Sequence, residues 1–270
     1  MAAVLSFQYK SDEPLPEGLV CSKSIRLQEK GFSIALYHAE TKTIHAVEQY
    51  DCEGCSLKEI IGSLSETEKK WDAKRAFLLF SNRINTQIPE KLHEDRNNDL
   101  YLPLLTKEPY QYQVMAEIIA PYHLFNISAW EKTVYQQITE AFPQYQLKSE
   151  TTAMLRLLPQ LSGKDKLLLF LEPNLLHLAA ERDGQFLGAN AFEFSGKNDF
   201  LYFLTGFAQT LFGDIESVDL HVMGVVESTS LLYAGMQKYF SRIHFVHAGY
   251  QTLQHQIHRF CDVLAEGRQS

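Results

Sequence analysis

Cys52-Glu53-Gly54-Cys55 is a CxxC pair that immediately precedes a helix start. The positive end of a helix macrodipole lowers a thiol pKa, so the pair has the form of a redox couple or half a zinc site. No second CxxC completes a zinc site and no parallel strand is read ahead of the pair, so the favoured reading is two free thiols in a turn. Histidines gather late in the chain, at His244, His247, His255 and His258, with Cys261 close behind. His255 and His258 stand one turn apart on the closing helix and are spaced to share a metal with His244 or His247. No HExxH adds a general base, and partly exposed helix histidines are the simpler assignment. Ser195-Gly196-Lys197 lacks the upstream glycine of a phosphate loop and reads as a helix start with Ser195 at the N-cap. No metal site and no cofactor are expected from these residues.

The elements that would carry any site follow from hydrophobic periodicity. Ile25 and Leu27, then Phe32, Ile34 and Leu36, then Ile44 and Ala46 alternate with their neighbours, predicting a three-stranded meander. Ser56 to Glu59 is a capping box that opens a helix, and Ala76 to Phe80 is a short buried strand. The stretch from Ile88 to Leu105 reads as irregular or short-helical. Met115 to Ile119 and Tyr122 to Phe125 look extended. A second capping box, Ser128 to Glu131, predicts a helix with Ile127, Trp130, Val134, Ile138 and Ala141 on one face. A strand near Tyr145 to Leu147 and a helix from Thr151 to Leu158 close the first half.

After a polar break at Pro159 to Lys166 the order repeats. Leu167 to Glu172, Leu175 to Arg182 and Phe186 to Phe194 form three strands, followed by a helix from about Lys197. A strand at Val218 to Met223, a helix at Ser228 to Phe240, a strand at Ile243 to Val246 and a helix at Thr252 to Leu264 complete it. Helical crossovers make the returning strands parallel. The expected architecture is α/β, with two tandem lobes at residues 1–160 and 161–270, mixed sheets flanked by helices and a cleft between the lobes.

This order resembles the actin-like ATPase superfamily, whose lobes are duplicated ribonuclease-H-like units. More narrowly, the chain resembles a family of uncharacterised bacterial proteins with that fold. The resemblance spans nearly the whole chain and rests on Gly31-Phe32-Ser33, on Phe80 to Pro89, and on Tyr122 to Phe142 with Asn126, Phe142 and Pro143. It implies phosphate-binding turns at the first strand pair of each lobe, each with an Asp for Mg²⁺ and a Gly that lets backbone amides approach. The matching positions are Glu29, Gly31 and Ser33 in the first lobe and Glu172 and Asn174 in the second. The adenosine turn corresponds to Gly224.

All three turns depart from the pattern. Phe32 puts a large ring among small residues, Pro173 lacks an amide donor, and Val225 replaces a second glycine. The expected protein is therefore a non-catalytic actin-like scaffold that binds a protein partner. The competing expectation is a divergent ATPase or phosphotransferase that binds Mg-ATP in the cleft, with Glu29 and Glu172 standing in for the usual acids. Both carboxylates would then face the cleft, although two solvated turn residues is the simpler reading. Tyr101, Tyr110, Tyr112 and Tyr122 offer material for a partner surface.

Composition bounds the rest. The chain has 270 residues with 25 Lys and Arg against 33 Asp and Glu, a net charge of −8, which disfavours nucleic acid as a partner. Hydrophobic residues at 45% exclude disorder. No run reaches the roughly 18 apolar residues of a membrane span. The first residues lack the pattern of a secretory signal, and Cys21, Cys52, Cys55 and Cys261 do not form a disulfide framework, so a reducing cytoplasm is expected.

Overall fold

The computed structural model describes residues 3–12, 20–81, 83–94, 98, 100–247, 249–250 and 256–265. The first sheet has six strands in the order β1-β4-β3-β2-β5-β9. These are β1 (Val4–Lys10), β2 (Ser22–Gln28), β3 (Gly31–His38), β4 (Thr43–Asp51), β5 (Arg75–Phe80) and β9 (Gln146–Ser149). β2, β3 and β4 form the expected meander, while β5 and β9 return parallel. β1 is an additional edge strand paired antiparallel to β4.

A second sheet of five strands runs β12-β11-β10-β13-β14. Its strands are β10 (Asp165–Leu171), β11 (Leu175–Arg182), β12 (Gln185–Glu193), β13 (Asp219–Gly224) and β14 (Arg242–Phe245). Its meander is antiparallel and its two last strands are parallel, as the crossovers require.

Helices fill the faces. α1 (Leu57–Glu68) begins at the reciprocal Ser56–Glu59 capping box. It packs with α3 (Lys132–Ala141) against the outer face of the first sheet, where Ile25, Leu27, Phe32 and Leu78 meet Ile60, Leu64 and Ile138. α5 (Lys197–Phe212) and α6 (Leu231–Met236) cover the outer face of the second sheet through Phe200, Leu204 and Met236. Between the sheets lie α4 (Glu150–Leu157) and α7 (Cys261–Ala265), the latter continuing a 3₁₀ turn at Ile257–Phe260. One apolar core spans this middle layer, joining Ala35, Tyr37 and Leu79 of the first sheet to Leu168, Phe170 and Met223 of the second.

Two local expectations are corrected. Ser128 to Glu131 is strand, not a helix start: β8 (Leu124–Glu131) is the centre of a three-stranded sheet with β6 (Asn85–Pro89) and β7 (Tyr112–Ile119), and α3 starts only at Lys132. The stretch from Ile88 to Leu105, expected to be irregular or short-helical, carries a 3₁₀ turn at Glu90–Leu92 and a short α2 (Leu102–Leu105) after the end of β6. Cys52 and Cys55 are joined as a disulfide rather than being free thiols in their turn. At the chain's end the helix expected from Thr252 is described only from the 3₁₀ turn onward, and His255 lies outside the described residues.

Candidate functional site

The polar centre of the molecule is built by strand alternation. On β2, Ile25 and Leu27 point outward to α1 and α3, so Arg26 between them points inward. Its register partner on β3 is Ser33. On β10, Leu167, Leu169 and Leu171 face α5, so Phe170 faces inward, with Glu172 next on that side just beyond the strand end. His177 on β11 pairs with Phe170, their rings 5.7 Å apart. Glu150 is the first residue of α4 and Asp262 lies in α7. Two sheets and two helices thereby aim charged side chains at one place.

The contacts there are short and dry. Arg26 donates from Nη1 to Asp262 Oδ1 at 2.9 Å and to the Arg259 carbonyl at 3.1 Å, and from Nη2 to Ser33 Oγ at 3.3 Å. Its guanidinium lies 5.6 Å from the Phe170 ring centroid. Ser81 donates to Glu172, and His177 Nε2 lies 3.3 Å from both Glu172 Oε2 and Ser81 Oγ. Gln28 donates to Glu172 Oε1 at 3.3 Å. Arg26, Asp262 and Glu150 are each at most 1% exposed, and Glu172 and His177 are buried beside them.

One cation therefore faces three buried carboxylates, and the electrostatics respond. Burial opposes the Arg26 charge, but Asp262, Glu150 and Glu172 outweigh it and hold the guanidinium above its usual range. Burial, reinforced by the Glu172 and Asp262 carboxylates, pushes Glu150 well above the carboxylate range. Glu172 goes the other way: burial works against its charge, yet hydrogen bonds from His177 and Ser81 and the nearby Arg26 hold its carboxyl low.

The six residues picked from sequence fall into two groups. Ser33, Gly31 and Glu172 belong to this buried centre or its walls. Gly31 has φ +147° and any Cβ there would stand 2.0 Å from the Tyr50 carbonyl oxygen. Gly224 ends β13 with φ +94°, so close to β10 that a Cβ would stand 2.1 Å from the Leu171 carbonyl oxygen. Glu29 and Asn174 are exposed in their turns. Glu29 is the solvated turn residue that the simpler reading expects, whereas Glu172 is buried, and the first-lobe side chain that reaches it is that of the neighbouring Gln28. Arg26, Ser81, Glu150, His177 and Asp262 escaped the sequence reading.

Residues 256–265 close the other side. His258 Nε2 donates to the Val226 carbonyl at 2.7 Å, at the turn that follows Gly224. Phe260 stacks on Phe7 at 5.2 Å, and Cys261 Sγ donates to the Val246 carbonyl. His258 is therefore a buried strap rather than an exposed helix histidine. A cavity of about 540 Å³ lies elsewhere, lined by Lys42, Ser162, His221, His244 and His247. None of the six sequence-picked residues lines it.

These histidines carry a pH dependence. Burial lowers the pKa of His258 against the help of Val226, with Arg259 and His247 lowering it further and Glu227 opposing. Burial likewise lowers His221, which donates to the Ser162 carbonyl and also faces His244, Asp219 and Lys166. Below the ordinary histidine value of 6.5 the unfolded chain takes up protons that the folded chain resists, so stability falls as pH drops through that value. Urea titrations at pH about 5.5 and about 7.5 are expected to show that loss, and His258→Gln, which keeps a donor to Val226, is expected to reduce it.

A family model described as "Protein of unknown function (DUF3822)" matches residues 20–243. Among solved structures, a Bacteroides thetaiotaomicron protein with actin-like ATPase fold and unknown function aligns with TM-score 0.76 and 20% identity, over 90% of this chain and 95% of that one. A PilM-PilN type IV pilus biogenesis complex aligns at TM-score 0.60 with 11% identity, over 92% and 99%. The ethanolamine utilization protein EutJ from Carboxydothermus hydrogenoformans aligns at 0.52 with 8% identity, over 95% and 91%. No curated protein matches. The likenesses establish an actin-like ATPase fold. Among the described residues no helix is long and apolar enough to cross a membrane.

Proposed function

The chain belongs to that family of unknown function, and from this premise we propose that it is a pseudo-ATPase: an actin-like scaffold that has given up nucleotide chemistry and works by binding a protein partner. Its lobes are residues 1–160 and 161–270, with the C-terminal helix of the second docked back on the first. The observation that carries this reading is that residues 256–265 occupy space between the sheets. Asp262 takes the Arg26 guanidinium beside Ser33, and His258 takes the Val226 carbonyl beside Gly224. A phosphate at Ser33 or a base at Gly224 would have to displace these contacts.

The residues also fit Mg-ATP poorly. Mg²⁺ keeps several waters and near-octahedral oxygen ligands, whereas Glu172 is buried against an imidazole and a serine. Pro173 offers no amide to a phosphate. That an actin-like neighbour occurs in a PilM-PilN complex supports a protein partner for this fold. The competing reading, a divergent ATPase or phosphotransferase, draws on Ser33 and Glu172 sharing one buried centre, and it requires the C-terminal segment to move away.

Phosphate release from Mg-ATP tests the reading. The purified chain is expected to release phosphate at the rate of buffer alone. Turnover that Glu172→Ala abolishes would overturn it.

A further inference from the structure

Three groups of the buried centre, two of them in contact with each other, converge on one point. One ligand atom each from Glu150, Glu172 and His177 can be chosen so that all lie within 4.8 Å of one another, and all three side chains are buried. Both Glu150 carboxylate oxygens lack a hydrogen-bond donor, as does one oxygen of Asp262. A fully buried carboxylate with no donor is costly unless it is neutralised or bound to a cation. With His177 neutral, as a metal ligand must be, Arg26 contributes one positive charge against Glu150, Glu172 and Asp262, leaving two negative charges in the buried interior. A proton on Glu150 removes only one of them.

We propose that Glu150, Glu172 and His177 form a binding site for one divalent first-row transition metal ion, of which Zn²⁺ is the natural probe. The charge fits, since a dication beside Arg26 balances the three carboxylates. The donors fit too: an imidazole with two carboxylates suits Zn²⁺, Mn²⁺ or Fe²⁺, whereas Mg²⁺ and Ca²⁺ prefer all-oxygen shells with water or many carbonyls. Zinc holds such ligands at about 2.0–2.2 Å, so the three side chains need only draw together. The half-buried Ser81 and Gln28 flank Glu172 and mark the side from which an ion enters. Bound there, the ion ties β10 and β11 of the second sheet to the head of α4, which sits between the sheets. The site needs no nucleotide and stands whether or not the scaffold reading does. It also departs from the expectation, drawn from sequence, that the chain holds no metal.

The test uses the full chain, purified without a histidine tag and stripped with EDTA. Isothermal titration with Zn²⁺ is expected to show one tight equivalent and a raised melting temperature, with no such shift from millimolar Mg²⁺. His177→Gln and Glu172→Gln are each expected to weaken that equivalent by at least about tenfold. Glu150→Gln mimics the protonated carboxyl, so it keeps the fold while losing the metal. The unmodified chain alone can refute the site: no stoichiometric uptake of Zn²⁺ and no thermal shift would do so. Uptake that persists unchanged in Glu150→Gln and His177→Gln would place the ion at other histidines and refute it equally.

Discussion

An Arg26→Met variant is expected to lose about 3–5 kcal/mol of folding stability, the usual cost of stranding one member of a buried ion pair. Arg26 and Asp262 are 1% and 0% exposed at the side chain and meet at 2.9 Å, so solvent screens neither. Methionine fills comparable space but leaves Asp262 facing Glu150 with no cation. It also removes the donors to Ser33 and to the Arg259 carbonyl. The double variant Arg26→Met with Asp262→Leu is expected to recover part of the loss, because replacing a whole buried pair by apolar groups is often close to neutral. Urea unfolding followed by tryptophan fluorescence reads both. A loss below about 1 kcal/mol in the single variant would assign the pair the weight of an exposed salt bridge and remove it from the account.

The second large effect is expected at Phe260, where truncation to alanine costs about 3–5 kcal/mol as transfer energy plus cavity. Phe260 is 0% exposed, stacks on Phe7 of the first sheet and belongs to the core that also holds Phe170 and Met223 of the second. Its removal loosens the only part of the described chain end, residues 256–265, from both sheets together. Urea unfolding measures the cost, and limited proteolysis of Phe260→Ala is expected to trim the C-terminal residues before cutting elsewhere. A stable variant with an unchanged proteolysis pattern would mean that the segment lies on the surface rather than in the core.

Both predictions concern residues that the sequence conceals. The meanders, crossovers and tandem order were legible because their apolar residues alternate cleanly, as in Phe32, Ile34 and Leu36. β8 was not, because its inner face carries Asn126 and Ser128, both 0% exposed and hydrogen-bonded to other side chains. Asn126 donates to Thr152 at 3.0 Å, and Ser128 accepts from the Trp130 indole at 3.0 Å. With polar residues buried on one face, Ser128 to Glu131 carries the same signature as a helix cap.

The buried centre was hidden for a related reason. Arg26 sits at a polar position of an alternating strand, which ordinarily faces water; here that face meets the middle layer. Asp262 is 236 residues away and only tertiary packing joins them. Glu172 and Ser33 were picked because the resemblance to the actin-like superfamily carried its phosphate-turn positions onto them. Glu150 and His177 match no such position, and they became visible only when β9, α4 and β11 were placed.

On the proposed reading, residues 256–265 and the buried charges leave no nucleotide site between the sheets. Isothermal titration of the full chain with Mg-ADP tests this most directly, because binding is read without any need for turnover. The expected result is no saturable heat up to millimolar ligand. One-to-one binding in the micromolar range, weakened by Ser33→Trp or Glu172→Ala, would contradict it.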